Sequence, residues 1–233
     1  MVRTLREIEG AEVVAVASPT PGRADAFAAE WDIGVACPSV AALADTDIDV
    51  AYIGSANHRH PGDAAALLDA GIPTLCEKPL ATTAYEASEM IQLARSKGVF
   101  LMEAMWMRFL PFWDRLVGLL DDGAIGPLRM IRADFGIRAE TDPTRRWFNP
   151  AQGGGALLDV GIYPVSFAMG LAGGEPALTA VPSVDASYPV ATTLLPETGG
   201  QMVNLWLMVA LGVGLAFIIG GLMLRARKDK IAA

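Results

Sequence analysis

Over the first hundred residues the apolar positions fall in short blocks, each closed by small or polar residues. "AEVVAVASP" (11–19) is a Val-rich run ended by Ser-Pro. It reads as a strand buried on both faces. "GRADAFAAEWDI" (22–33) follows as a helix. "DVAYIGSAN" (49–57) is a second buried strand, and "HPGDAAALLDAG" (60–71) a helix stopped by Gly71. "IPTLCEKP" (72–79) is a third strand. In "TAYEASEMIQLARSKG" (83–98), Ala84, Ala87, Met90, Ile91 and Ala94 share one helical face, and Gly98 sits past the end. "VFLMEAMW" (99–106) is a fourth strand. This alternation predicts βαβ units with right-handed crossovers and a parallel sheet. Ligands sit at the carboxyl ends of such strands. Ser18, the stretch Ser55 to His60, Glu77 and Lys78 are therefore predicted to face one crevice.

The rhythm then changes. "LPFWDRLVGLLDDGAIG" (110–126) predicts a helix and "PLRMIRADFGI" (127–137) an alternating strand. "GGGALLDVGIYPVSFAMGLAG" (153–173) predicts a Gly-led helix, and "EPALTAVPSV" (175–184) one more strand. This is the start of a second, α+β domain. "DASYPVATTLLPETGGQ" (185–201) is rich in Pro, Thr and small residues and reads as a linker. Met202 to Leu224 is 23 residues without a charge. About 20 apolar residues span a bilayer, and buried core helices this long and uniformly apolar are uncommon, so a transmembrane helix is predicted.

Composition excludes several classes. The net charge of −8 over 233 residues gives no nucleic-acid surface. No Lys or Arg falls between Arg146 and Arg225. Two cysteines, Cys37 and Cys76, make no disulfide framework, and Cys76 reads as a buried thiol. His58 and His60 have no Cys or carboxylate cluster around them, so no metal site is predicted. The opening "MVRTLREIEG" has no apolar core of about 7–15 residues and is not a secretory signal.

Four stretches, in order, carry a resemblance. They are "SANHRH" with Asn57 and His60, "AGIPTLCEKPL", "LMEAMWMRFLP" and "GGGALLDVGIYPVSF". From about residue 11 to 181 the chain resembles the Gfo/Idh/MocA oxidoreductases. The last two stretches are most similar to the dihydrodiol and xylose dehydrogenase branch, where a Tyr stands in place of a His; here it is Tyr163. The resemblance implies a partial Rossmann-like dinucleotide-binding domain over 1–104 and a partial substrate domain over 105–182. It also implies NAD or NADP as cofactor, a sugar or cyclic polyol as substrate, and homo-oligomers. By the same resemblance, Ser18, Arg23, Ser55, Asn57, His60, Glu77 and Lys78 face the cofactor. Lys78, Tyr163 and Asp159 are the catalytic candidates.

The chemistry agrees with that assignment. Hydride transfer at a carbinol carbon needs a group that handles the hydroxyl proton, and Tyr163 can do so. A free phenol titrates near pH 10, and a nearby ammonium favours the phenolate. Lys78 is the candidate ammonium, and by resemblance it also holds the substrate oxygen. Asp159, four residues before Tyr163, shares its helical face. A cis bond before Pro79 would aim Lys78 into the crevice.

The pattern also departs from the family. Members begin with a strand and a G-x-G-x-x-G turn that seats the pyrophosphate. "RTLREIEGAEVV" resembles the end of the helix that follows that turn, so the first strand and glycine turn are read as missing and nucleotide binding as weak or absent. The second domain is also short of strands, and both losses are expected to leave open sheet edges and apolar surface. Arg23, close behind Ser18-Pro19, favours NADP through a cation near the 2′-phosphate.

The C-terminal segment points elsewhere. LPETG, the apolar run and the basic residues Arg225, Arg227, Lys228 and Lys230 resemble, in that order, the cell-wall sorting signal of Gram-positive surface proteins. The resemblance implies a sortase as partner, cleavage between Thr198 and Gly199, a membrane helix over 202–224 and a cytoplasmic tail over 225–233. Residues 183–201 are then the linker. The anchor implies the cell wall; the oxidoreductase segment and the absent signal imply the cytoplasm. A fusion of two unrelated pieces is the explanation this contradiction favours.

Overall fold

The computed structural model describes residues 1–137, 142, 144–173 and 222–226. The predicted strand at 175–184, the linker with LPETG, and residues 202–221 of the predicted membrane helix lie outside the described residues. The described residues divide into two units, one of 1–106, 142, 144–162 and 222–226, the other of 107–137 and 163–173.

The first unit is a sheet with helices on both faces. The strands are β1 (Ala11–Ala17), β2 (Val35–Cys37), β3 (Val50–Ile53), β4 (Thr74–Cys76), β5 (Leu101–Glu103) and β6 (Leu222–Ala226). The α-helices are α1 (Val2–Arg6), α2 (Arg23–Trp31), α3 (Val40–Ala44), α4 (His60–Asp69) and α5 (Ala84–Lys97). Their order in the sheet is β2-β1-β6-β3-β4-β5. β1 with β2, β3 with β4 and β4 with β5 pair in parallel.

Period-two alternation sorts the core. Ala15, Ala17, Ala51, Ile53 and Cys76 face one side, packed with Leu43, Leu67, Leu68 and Met90 of α3, α4 and α5. Val16 and Tyr52 face the other, packed with Val2, Leu5, Ala24 and Ala28 of α1 and α2, and Val13 joins them across an irregularity in β1 between Val13 and Ala15. A strand covered on both faces is apolar throughout, which explains the unbroken runs. Helix ends follow their caps: Ser39 Oγ accepts from Ala42 N–H at 3.0 Å at the start of α3. Thr83 and Glu86 form a reciprocal capping box on α5, and Gly98 closes it.

Two findings correct the sequence expectations. The first concerns the sheet edges left by the strand read as missing, expected to lie open. β6 fills it, antiparallel to both β1 and β3. Its register against β1 shifts between Val13 and Ala15. A strand between two others satisfies backbone groups on both edges, and an apolar segment suits that place. Leu222–Leu224, read as the end of a membrane helix, are thus strand. The second concerns 127–137, expected as an alternating strand. Residues 128–137 form no regular element. Alternation makes a strand only where a neighbour completes the ladder, and among the described residues none pairs with it.

The second unit contains α6 (Pro111–Asp121) and most of α7 (Ile162–Ala172), both predicted. Trp113 of α6 meets Phe167 of α7 edge-on, with ring centroids 5.7 Å apart. Gly170 allows this approach, since a Cβ there would lie 2.6 Å from the Trp113 ring. Arg108 donates to Ser166 Oγ at 3.0 Å and to its carbonyl at 2.8 Å. A π-helical turn, Leu157–Gly161, precedes α7. Among the described residues the helical run Pro150–Ala172 is the one long and apolar enough to cross a membrane. It is not the segment for which the composition suggested a span.

Candidate active site

In the first unit the site collects at the carboxyl ends of β3, β4 and β5. Each strand stops where its apolar run meets polar residues, and the parallel pairing sets those stops side by side. After β4 the chain runs Glu77-Lys78-Pro79, with a cis bond between Lys78 and Pro79. Glu77 is tied down on both sides of its carboxylate. Tyr52 Oη donates to Oε1, and the Lys78 N–H donates to Oε2 at 3.1 Å. Glu103, at the end of β5, accepts from Leu80 N–H at 2.8 Å. These contacts fix the backbone on either side of Lys78.

Lys78 Nζ donates to the Asp159 carbonyl and lies 3.4 Å from its carboxylate. The two side chains are only 13% and 19% exposed, so water screens the pair less than at a surface. A segment far along the chain supplies Asp159. Residues 146–155 run against the loop after β3, where the buried Asn57 donates from Nδ2 to the Gly153 carbonyl at 2.9 Å. Gly153 is required there. Its φ is +74°, and a Cβ would lie 2.6 Å from Thr82 Cγ2 and 2.8 Å from Asn57 Cβ.

The other predicted residues divide. Ser55 Oγ is buried with no hydrogen-bond partner. It stands at the carboxyl end of β3, where an orphan hydroxyl suits a ligand's polar group. Asn57 is 5% exposed with its amide nitrogen committed to Gly153. His60 is buried completely, and both its ring nitrogens meet backbone carbonyls. Ser18 is buried after β1, its Oγ accepting from Thr20 N–H at 3.3 Å. β6 stands between β1 and β3, so Ser18, after β1, is three strand positions away from Lys78, after β4. Arg23 is exposed at the first turn of α2. Tyr163 belongs to the second unit, where its ring meets Phe135 at 5.2 Å, tilted by 62°. The expected shared face with Asp159 is interrupted, since Asp159 sits in the π-turn and Tyr163 in the α-helix after it. Thr198 and Gly199 lie outside the described residues.

Electrostatics favour an inert thiol at Cys76. Burial pushes it well above the ordinary thiol range, and Glu77, Glu103 and Asp63 add to the shift. Among the described residues no group of His, Cys, Asp and Glu could hold a metal ion. Tyr52, Glu103 and Gly153 are site residues that sequence reasoning missed. The rule that selected Glu77 also selects Glu103, the polar residue closing the next strand. Tyr52 and Gly153 carry no such signal.

The comparison with known proteins decides the family. A family model described as an oxidoreductase family with an NAD-binding Rossmann fold matches residues 2–105. A model of the GFO/IDH/MocA C-terminal domain matches residues 113–194, past the boundary read at residue 182. The chain belongs to the GFO/IDH/MocA oxidoreductase family. Trans-1,2-dihydrobenzene-1,2-diol dehydrogenase of Homo sapiens is 44% identical over 165 residues, 70% of this chain and 49% of the relative. A 3-ketoreductase from Actinomadura kijaniata, solved with NADP and TDP-benzene, is 32% identical with a TM-score of 0.66. The match covers 74% of this chain and 53% of that one. An aldose-aldose oxidoreductase from Caulobacter crescentus, solved with glycerol, is 28% identical with a TM-score of 0.61, covering 71% and 51%. This family member spans about half the length of the curated relatives it matches.

Proposed function

We propose that the chain carries the site of an NAD(P)-dependent oxidoreductase acting on a carbinol of a sugar or cyclic diol. One observation carries the reading: Lys78 and Asp159, from motifs far apart in sequence, pair at the carboxyl end of the sheet. Ser55 Oγ, buried and unpartnered, fits a polar group of a dinucleotide at the same end. When bound, the nicotinamide accepts the hydride that leaves the carbinol carbon, or returns it to a carbonyl. The chain's residues manage the oxygen. Lys78 Nζ donates to it, and Tyr163 Oη takes the hydroxyl proton as the C–H bond breaks, or gives it back in reduction. Asp159 keeps the ammonium in place. Arg23, near the end of β1, favours NADP.

The test begins with nucleotide. NADPH fluorescence should rise weakly but saturably on adding the chain, and less with Lys78→Ala. No saturable rise at any concentration overturns the cofactor assignment. Where turnover of a diol or xylose is seen, Tyr163→Phe should remove most of it; unchanged turnover overturns the proton role.

The order LPETG, apolar run, basic tail supports a second reading, a sortase-anchored surface protein with a non-catalytic oxidoreductase-like passenger. Its membrane helix would be 202–224, with the basic end in the cytoplasm, an arrangement that excludes the pairing of Leu222–Leu224 with β1 and β3. A sortase with a glycine nucleophile should then release a fragment beginning at Gly199, and the chain should stay with membranes through carbonate extraction. Cleavage elsewhere, or a soluble chain, removes this reading. The two readings place the protein in the cytoplasm and at the cell wall respectively.

A further inference from the structure

His60 is the first residue of α4 and has no solvent exposure. Its Nδ1 lies 2.8 Å from the Pro79 carbonyl oxygen, and its Nε2 lies 3.1 Å from that of Ser55. Pro79 follows Lys78 after β4; Ser55 follows β3. The ring therefore bridges the ends of two paired strands. Both partners are carbonyls, which only accept. A neutral imidazole donates from one nitrogen and accepts at the other. With one proton, one contact is a hydrogen bond and the other sets a lone pair against an oxygen at close range. Only the imidazolium donates to both.

We propose that His60 is a proton-dependent clasp. Singly protonated, it holds one of the two loops; doubly protonated, it locks the Ser55 loop to the Glu77-Lys78-Pro79 turn and so positions Lys78. Its bearing on turnover rests on the role given to Lys78 above, but the clasp itself exists without nucleotide. Several titratable groups surround this end of the sheet. Arg59 and Asp63 flank the ring on its own segment and pair at 3.0 Å. Glu77 and Lys78 lie on the turn after β4, beside the buried Cys76 thiol, Glu103 closes β5, and Tyr52 belongs to β3. A cation at a helix N-terminus opposes the helix dipole. Asp63, buried in the same first turn, offsets that cost.

The experiment is an NMR titration of the full chain without nucleotide, following both His60 ring nitrogens. At the acid end both nitrogens should carry slowly exchanging protons, and raising the pH should remove one. Exchange of the Leu80 amide, corrected for its intrinsic pH dependence, should accelerate about tenfold over the same transition, the scale of one hydrogen bond to a charged donor. His60→Gln, which keeps one donor and no titration, should flatten that dependence. A ring holding a single proton throughout, or Leu80 exchange with no transition in the wild-type chain, overturns the clasp whether or not His60→Gln folds. Where nucleotide binding fails and the titration succeeds, the functional reading falls and the clasp stands.

Discussion

The two units bury their apolar residues very differently. In the first, Leu43, Leu67, Leu68, Ala51 and Ala64 have no exposure at all. In the second, the buried apolar residues among those described are Met107, Trp113 and Phe167, while Phe109, Ile125, Met130 and Ile137 are each at least 60% exposed. The sheet unit is covered by helices connected within a few residues of each strand. Among the described residues the second unit has two α-helices, α6 and α7, and no ladder for its alternating segment. An alternating segment gains its stability from the strand beside it, so the same kind of pattern yields a core in one place and an open face in the other.

The largest test of that difference is core truncation. Leu67→Ala should cost about 3 kcal/mol, the middle of the range for a leucine cut from a packed core. Met130→Ala, at an exposed position, should stay within about 0.5 kcal/mol. Urea midpoints with equal slopes measure both. A Met130→Ala loss comparable to that of Leu67→Ala would show that the second unit is buried after all.

Gly153 sharpens the picture inside the first unit, where a distant segment is fitted against the sheet. Gly153→Ala combines a left-handed φ with a clash against Thr82 and Asn57. It should cost about 2 kcal/mol. Gly126→Ala meets the same kind of φ, +71°, but open space, and should cost about 1 kcal/mol. Equal losses would mean that residues 146–155 do not pack closely on the loop after β3.

Much of the first unit was legible because strands and helices there differ in period. β1, β3, β4 and β5, with α2, α4 and α5, lie within the predicted segments. α3 and β2 are too short to show a period by themselves and lie outside the predicted segments, whereas the three-residue β4 and β5 lie inside longer apolar runs. α1 overlaps the stretch read by resemblance as the end of a helix. β6 was not legible for the opposite reason: a uniformly apolar run carries no period that separates strand from helix. In the site, Lys78 and Asp159 were legible through the motif order. Glu103, Tyr52 and Gly153 were not, because their roles depend on which strands lie side by side and which loop returns to them. His60 was singled out by its motif, but its contacts were not legible, since the two carbonyls that flank it belong to other segments.

The smallest effect belongs to the cap of α5, in the well-formed unit yet close to solvent. Thr83 Oγ1 accepts from Glu86 N–H at 3.2 Å, and Glu86 Oε2 accepts from Thr83 N–H at 3.1 Å. Thr83→Ala should cost about 1 kcal/mol, the usual loss for an N-cap. Glu86 adds a pH signature. The hydroxyl of Thr82, donating to its carboxylate, and then the groups of Thr83 hold its pKa below the ordinary glutamate value. A carboxyl whose pKa is lower folded than unfolded contributes stability that is complete above the unfolded value. That contribution is lost as pH falls through the folded one. Glu86→Gln keeps an acceptor at the third helical position but cannot titrate. Wild-type stability should therefore exceed that of Glu86→Gln by its full margin near neutral pH, and the margin should shrink steadily on acidification below the ordinary glutamate range. A margin that stays constant down to the acid transition would mean that the carboxylate is not held by these hydroxyls, and that the cap rests on Thr83 alone.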